Sequence, residues 1–316
     1  MIPFRAKPMN VLFFYGYVNS FNSVINQWNN EKVAQDMVKY DIIVLGNGVA
    51  DPAHQDYANA KIVIERLKAI RPDILIFGYV SVNQALNIFR TKVDQWDALG
   101  IGGIFLDEAG YDYGKTRADF NDRITYVKSR TSAKNCFANA WNTDHIIGTN
   151  NDPAFPNTLF NPNGLQALLD VDDWILLESF SVNTVAYQNG YASKTDWFSR
   201  GQKAVQHRIN HEVRVVALNV IEDTSPNGQA LFNFAYNSAL IWDVDAIGSS
   251  SVNYGASTAQ VKFWNRPDKL IGIANTKTGP TIVPDGLDSN HYMRYGNFSK
   301  TVIIFGTAPT SSIETW

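Results

Sequence analysis

Two adjacent carboxylates, Asp107 and Glu108, close the run Gly100-Ile-Gly-Gly-Ile-Phe-Leu-Asp-Glu-Ala-Gly110. The residues before them, Ile104-Phe105-Leu106, read as a short buried strand. A carboxylate at the end of such a strand does little for stability, since burying it unpaired costs roughly several kcal/mol. A third acid, Glu178, ends another apolar run, Asp173-Trp-Ile-Leu-Leu-Glu-Ser179. Carboxyl groups placed in this way suit glycoside hydrolysis. That reaction needs one protonated acid for the leaving oxygen and one ionised group as nucleophile or base. Each acid also has an ordinary alternative. Asp107 would cap a turn with Glu108 solvated, Glu178 would sit in a salt bridge under a loop, and Glu222 would lead into a helix cap.

The surrounding elements must bring these acids together. Apolar runs at residues 11–18, 41–46, 74–80, 104–106, 135–141, 173–179, 213–220 and 245–250 predict eight strands. Helical patterns fall between most of them: Asn22 or Ser23 to Tyr40, Asp56 to before Pro72, Asn83 to Leu99, Thr116 to Arg130, Ser193 to His211, and Ser225-Pro226 to Trp242. An Asn- and Pro-rich loop covers 142–164, with a helical turn at Leu165–Leu169. Eight such alternations predict an α/β fold, a (β/α)8 TIM barrel over residues 1–265. The β-like runs Tyr292–Tyr295 and Thr301–Phe305 predict a small β appendage over 266–316.

A barrel of this kind gathers the polar residues at the C-terminal strand ends into one mouth. Strand alternation turns Gly103, Phe105 and Asp107 inward and Ile104 and Leu106 toward the helices. The run before Glu178 is apolar on both faces, so alternation does not orient that residue. Tyr15, Tyr17, Asn47, Tyr79, Asn139, Trp141, Asn219, Glu222 and Tyr254 complete the strand-end set as candidate substrate-binding residues, with Ser250 and Asn253 beside them. Amides and carboxylates serve sugar hydroxyls, and flat aromatic faces serve the apolar face of the ring.

Other chemistries find less support. The chain has 316 residues and a formal net charge of −3, with no basic stripe for nucleic acid. Cys136 is the single cysteine, which leaves no internal disulfide or cysteine metal cluster. His207 and His211 are four apart, but Arg208 stands where a zinc-protease helix has Glu. Asp170-Val-Asp-Asp173 lacks a calcium-loop pattern. Neither Gly46-Asn-Gly48 nor Gly100-x-Gly-Gly is a dinucleotide fingerprint, and no Gly-x-Ser-x-Gly elbow occurs. A sugar-phosphate enzyme would want a phosphate loop late in the barrel, which is missing from the sequence. The expectation is a site without cofactor or metal and a polysaccharide as partner. No run approaches the roughly 18 apolar residues of a membrane span, and 11–18 reads as a strand, not a signal peptide.

The run Gly103-Ile-Phe-Leu-Asp-Glu108, the strand ending in Glu178 and the Tyr-rich first strand resemble the spherulin-4-like and endo-α-1,4-polygalactosaminidase barrel families. The resemblance spans roughly residues 10–255. It implies an endo-acting hydrolase of galactosamine-rich exopolysaccharides, with the family's acidic pair on Asp107 and Glu108 and its later glutamate on Glu178. An extracellular, cell-surface or virion setting is expected. The competing reading is a carbohydrate-binding or host-attachment barrel that has lost catalysis.

Overall fold

Strands and helices alternate to give a (β/α)8 barrel with a small antiparallel sheet near the C-terminus. The computed structural model describes residues 7–46, 48–149, 152–183, 190–191, 194–222, 224–251, 255–267, 283–284, 291–295, 299–304 and 310–315. The chain divides into two compact units, Asn10–Leu176 with Asn253–Val261, and Leu177–Val252 with Met1–Met9 and Lys262–Trp316.

The first unit carries strands β1 (Met9–Phe14), β2 (Ile42–Leu45), β3 (Leu75–Ser81), β4 (Gly103–Asp107), β5 (Asn135–Ala138) and β6 (Trp174–Leu177). They pair in that order, each parallel to the next. Helices α1 (Ser23–Asn26), α2 (Asn30–Met37), α3 (Tyr57–Ile70), α4 (Leu86–Ala98) and α5 (Arg117–Lys128) lie between the strands. One face of the strands is filled by rings. Phe105 of β4 lies edge-on to Phe13 of β1 and Phe137 of β5, at centroid separations of 5.4 and 5.0 Å. Phe77 of β3 and Trp174 of β6 extend the cluster through Phe137, at 5.5 and 6.5 Å. The alternate residues face the helices. Gly78 leaves room for the Trp96 indole, where an added Cβ would come within 2.2 Å.

The predicted helix from residue 22 to 40 is instead a turn at Val18–Ser20 followed by two helices, α1 and α2. Gln27 and Trp28 adopt left-handed backbone at φ 54° and 57°. Asn29 then caps α2, its side chain accepting from the backbone of Glu31 and Lys32. An Asn at that point competes with helix continuation and favours a new start. Thr116 caps α5 through a reciprocal bond with Asp119, as a capping box. The Asp170–Asp173 segment is tied to Lys128, with Nζ–carboxylate distances of 2.5 and 2.7 Å, and Asp173 accepts from Cys136 N at 2.7 Å. These acids fasten a strand start.

The Asn-rich loop after β5 is held by specific bonds. Buried Arg117 donates to the carbonyls of His145 at 2.9 Å and Leu165 at 3.4 Å. Asn161 donates to Thr149 O and accepts from Leu165 N, at 3.0 and 2.8 Å. The His145 ring stacks on Tyr111 at 4.5 Å, and its Nδ1 accepts from Tyr111 N at 3.2 Å. The proton of the neutral ring is therefore on Nε2, which donates to Asp152 at 2.5 Å. The backbone N–H of Ala154 and then His145 hold the Asp152 carboxyl below its ordinary pKa.

The second unit contains β7 (Val182–Asn183), β8 (Gly190–Tyr191), α6 (Lys194–His211), β9 (Arg214–Val220), α7 (Gly228–Ile241) and β10 (Ala246–Ser250). An antiparallel sheet follows, in the order β11 (Val283–Pro284), β12 (His291–Tyr295), β13 (Ser299–Ile304), β14 (Thr310–Thr315). The β9–β10 pair is parallel, with Ala246 opposite Val216. Buried ion pairs join these elements. Arg208 of α6 grips Asp245 through two bonds of 3.1 and 2.8 Å, and Arg294 of β12 reaches Asp243 at 3.0 Å. Arg208 thus has a structural role between the two helix histidines. Among the described residues no group of three His, Cys, Asp or Glu is placed to hold a metal ion, and no helix is long and apolar enough to cross a membrane.

Gly103→Ala should lose about 1–3 kcal/mol in urea denaturation, because its new Cβ would lie 2.5 Å from Phe77 Cε1 and 2.6 Å from Asn135 O. Gly102→Ala, whose nearest contact is 3.8 Å away, should change stability by about 0.5 kcal/mol or less. The depressed Asp152 carboxyl stabilises the fold fully above its unfolded value, near pH 4, and ceases to do so as pH falls through the folded value. Asp152→Asn should therefore lower Tm by on the order of 2 °C at pH 7, and thermal melts should show the gap to wild type closing below about pH 4.

Candidate active site

Interior rings and polar strand ends are related by even steps along each strand. Two residues beyond Phe13 lies Tyr15; beyond Phe77 come Tyr79 and then Ser81; beyond Phe105, Asp107; beyond Phe137, Asn139. Period-two alternation keeps each on the side of its aromatic predecessor, above the filled interior. The register agrees: Tyr79 is opposite Phe105, and Ser81 is opposite Asp107. The inward orientation expected for Phe105 and Asp107 is the one seen.

Asp107 is half-buried at the end of β4. It accepts from Asn139 Nδ2 at 2.9 Å and from the Tyr79 hydroxyl. Burial, followed by the charge of Asp107, raises the Tyr79 pKa well above the ordinary tyrosine range. Tyr79 therefore remains a protonated donor throughout the neutral range. Two donors from neighbouring segments fix the rotamer of Asp107. Its backbone is held too, with Val82 N donating to Asp107 O at 2.8 Å.

Glu108 is the first residue beyond the strand and has φ 56°, in the left-handed region. For a residue with a Cβ this conformation costs about 1–2 kcal/mol, and such strain concentrates at functional sites. The turn directs the Glu108 carboxylate to Ser81, whose hydroxyl donates to Oε2. Ala109 N then returns to Asn139 O at 3.1 Å. The first unit therefore brings together Asp107, Glu108, Tyr79 and Asn139, with Ser81 added. Tyr15 joins the edge of this group, its ring T-shaped to Tyr79 at 5.4 Å. Tyr17 lies further along the same loop, its hydroxyl bonded to Gln55 and its ring edge-on to His54 at 5.3 Å. Trp141, two residues past Asn139, is 54 % exposed.

In the second unit, half-buried Glu178 follows β6 directly. Arg200 of α6 donates to the carbonyls of Glu178 and Ser179, the latter at 3.3 Å. Ser179 has left-handed backbone at φ 49°. Asn219 is fully buried, and its Oδ1 accepts from Ser181 N, Ser181 Oγ and Val182 N at 3.1, 2.9 and 3.0 Å. Its amide oxygen is thereby committed to holding the segment after Glu178. Glu222 accepts from Thr224 Oγ1 at 3.2 Å, in the turn that leads toward α7. Asn47 and Tyr254 lie outside the described residues.

Ser81 and Arg200 were not among the sequence candidates. Ser81 continues the inward alternation Phe77, Tyr79, Ser81, so extending the predicted third strand by one residue would have found it. Arg200 acts on backbone across more than twenty positions, and no local pattern marks it.

No protein-family model and no curated protein matches the chain. Solved structures do. It is similar to Amy13B of Eubacterium rectale, with a TM-score of 0.53 and 9 % identity over 97 % of this chain and 87 % of that one. A variant of AmyP in complex with maltotriose aligns with a TM-score of 0.52 and 8 % identity, over 95 % and 87 % of the two chains. The dihydrodipicolinate synthase of Agrobacterium tumefaciens str. C58 aligns at 0.42 and 11 % identity, over 77 % and 70 %. For Amy13B and AmyP, at 9 % and 8 % identity, the likeness is one of fold, the (β/α)8 barrel.

Proposed function

We propose that the chain is an endo-acting glycoside hydrolase that cuts an extracellular, amino-sugar-containing polysaccharide with carboxyl groups alone. The observation that carries this reading is Asp107, held by Tyr79 and Asn139 at the end of a barrel strand beside a strained Glu108. A carboxylate fixed by two donors suits the nucleophile or the electrostatic stabiliser of an oxocarbenium-like transition state. Glu178 is assigned as general acid, protonating the glycosidic oxygen as the bond to the anomeric carbon breaks. It directly follows β6, at the strand end. Water then supplies the hydroxyl for the new reducing end, and its other proton returns to Glu178. Glu108 can exchange roles with either acid.

Further support comes from exposed Trp141, a flat platform next to Asn139, and from the barrel likeness to a protein solved with maltotriose. The resemblance of Gly103–Glu108 to the spherulin-4-like and polygalactosaminidase families supports a galactosamine-rich polymer and a secreted or surface location.

Purified protein should release oligosaccharides from one member of a panel of exopolysaccharides that includes galactosamine polymers. Asp107→Asn and Glu178→Gln should each lose about 10²-fold or more in cleavage rate while remaining folded, and Glu222→Gln should lose less. Wild-type rates in both variants would refute the assignment. Tight binding of one polymer with no cleavage anywhere in the panel would favour the attachment-module reading instead.

A further inference from the structure

A cavity of about 390 Å³ opens in the first unit between the loop after β2 and helix α4, lined by Asp51, His54, Tyr79, Lys92, Gln95 and Trp96 among others. Its volume is in the range that holds small ligands. Lys92, Gln95 and Trp96 are spaced i, i+3, i+4 and so share one face of α4. Lys92 is half-buried, and among the described residues it makes no ion pair or hydrogen bond. The neighbouring turns offer it no acid, since Ile88, Phe89, Gln95 and Trp96 occupy the positions three and four residues away. The Gln95 amide is likewise without a hydrogen bond among the described residues. His54 Nδ1 accepts from Asp56 N at 3.1 Å, which leaves Nε2–H as a donor. Asp51, whose Oδ1 accepts from Ala53 N at 2.9 Å, supplies the acceptor.

We infer that this cavity is a binding subsite for a carboxylate-bearing sugar unit, a uronate-like residue of the polymer. An ammonium group, an amide N–H and an imidazole N–H fit a carboxylate, while the Asp51 acceptor and the ring of Tyr79 fit a polyol. Tyr79 belongs to both this cavity and the Asp107 cluster, so a sugar seated here is one side chain from the proposed reaction centre. The inference rests on the carbohydrate reading of that cluster and narrows it to a polymer that carries acidic as well as amino sugars.

Binding of free sugars tests the subsite without requiring cleavage, so a failure here leaves the hydrolase assignment to its own assay. Wild-type protein should be titrated by NMR with D-glucuronate, D-glucose and sodium sulfate at fixed ionic strength. Glucuronate should bind at least 10-fold more tightly than either of the others, with shifts centred on α4 and the loop around His54. Lys92→Met should weaken glucuronate binding at least 10-fold, and Gln95→Leu several-fold, with unchanged thermal melts. Equal affinity for glucose would overturn the inference, as would sulfate binding as tightly as glucuronate or an unaltered glucuronate affinity in Lys92→Met.

Discussion

Ring packing inside the parallel strands is the constraint on which the site depends. Phe13, Phe77, Phe105, Phe137 and Trp174 come from five strands and fill the space with edge-on and tilted contacts. Once these rings point inward, period two leaves no freedom to the residues two positions on. Tyr79, Asp107 and Asn139 must emerge on the same side. A slip of one residue in β4 would bury Leu106 among the helix-facing positions' opposites and send Asp107 toward the helices. The apolar interior therefore determines where the carboxylate stands. Gly78 and Gly103 serve the same end by admitting Trp96 and Phe77 where a methyl group would not fit.

Asp107 differs from the acids that hold the fold in staying partly open to solvent. Asp245 is buried and satisfied by a bidentate arginine and a backbone N–H. Asp173 is buried against Lys128 and Cys136 N. Each has a partner that neutralises it, which is how a buried charge is tolerated. The hydrogen bonds shown for Asp107 come from neutral donors, a tyrosine hydroxyl and an amide, and it stays partly open to solvent. Tyr79 and Asn139 orient the carboxylate at the end of its strand. Beside it, Glu108 holds a left-handed backbone conformation that glycine would adopt more cheaply. Local rules fail in this way at functional or strained positions.

The loop after β5 has a matching role. It is long and lacks regular structure over most of its length, so its order has to come from side chains. Arg117, Asn161 and the His145–Asp152 pair supply that order by satisfying carbonyls and N–H groups that no ladder reaches. Their anchorage extends to Tyr111, three residues past Glu108, and so ties the loop to the acidic turn.

Much of this was legible in the sequence. Short apolar runs separated by helical patterns specify parallel strands, because a strand covered on both faces is apolar at successive positions, and eight of them specify the barrel. The alternation Gly103, Phe105, Asp107 was readable for the same reason. Local side-chain competition was harder to read: Asn29 starts a new helix where the apolar pattern continues, and Asn219 spends its amide oxygen on the segment after Glu178. Only the tertiary structure decided the partners of Asp107. Tyr79 and Asn139 belong to strands 28 and 32 positions away, and their meeting depends on register between β3, β4 and β5. It also decided that Lys92 and His54 line one cavity, a juxtaposition made by packing a loop on a helix. Periodicity is a property of one segment and can be read from it. A hydrogen bond between segments depends on how they pack, and that relation is set by the folded core.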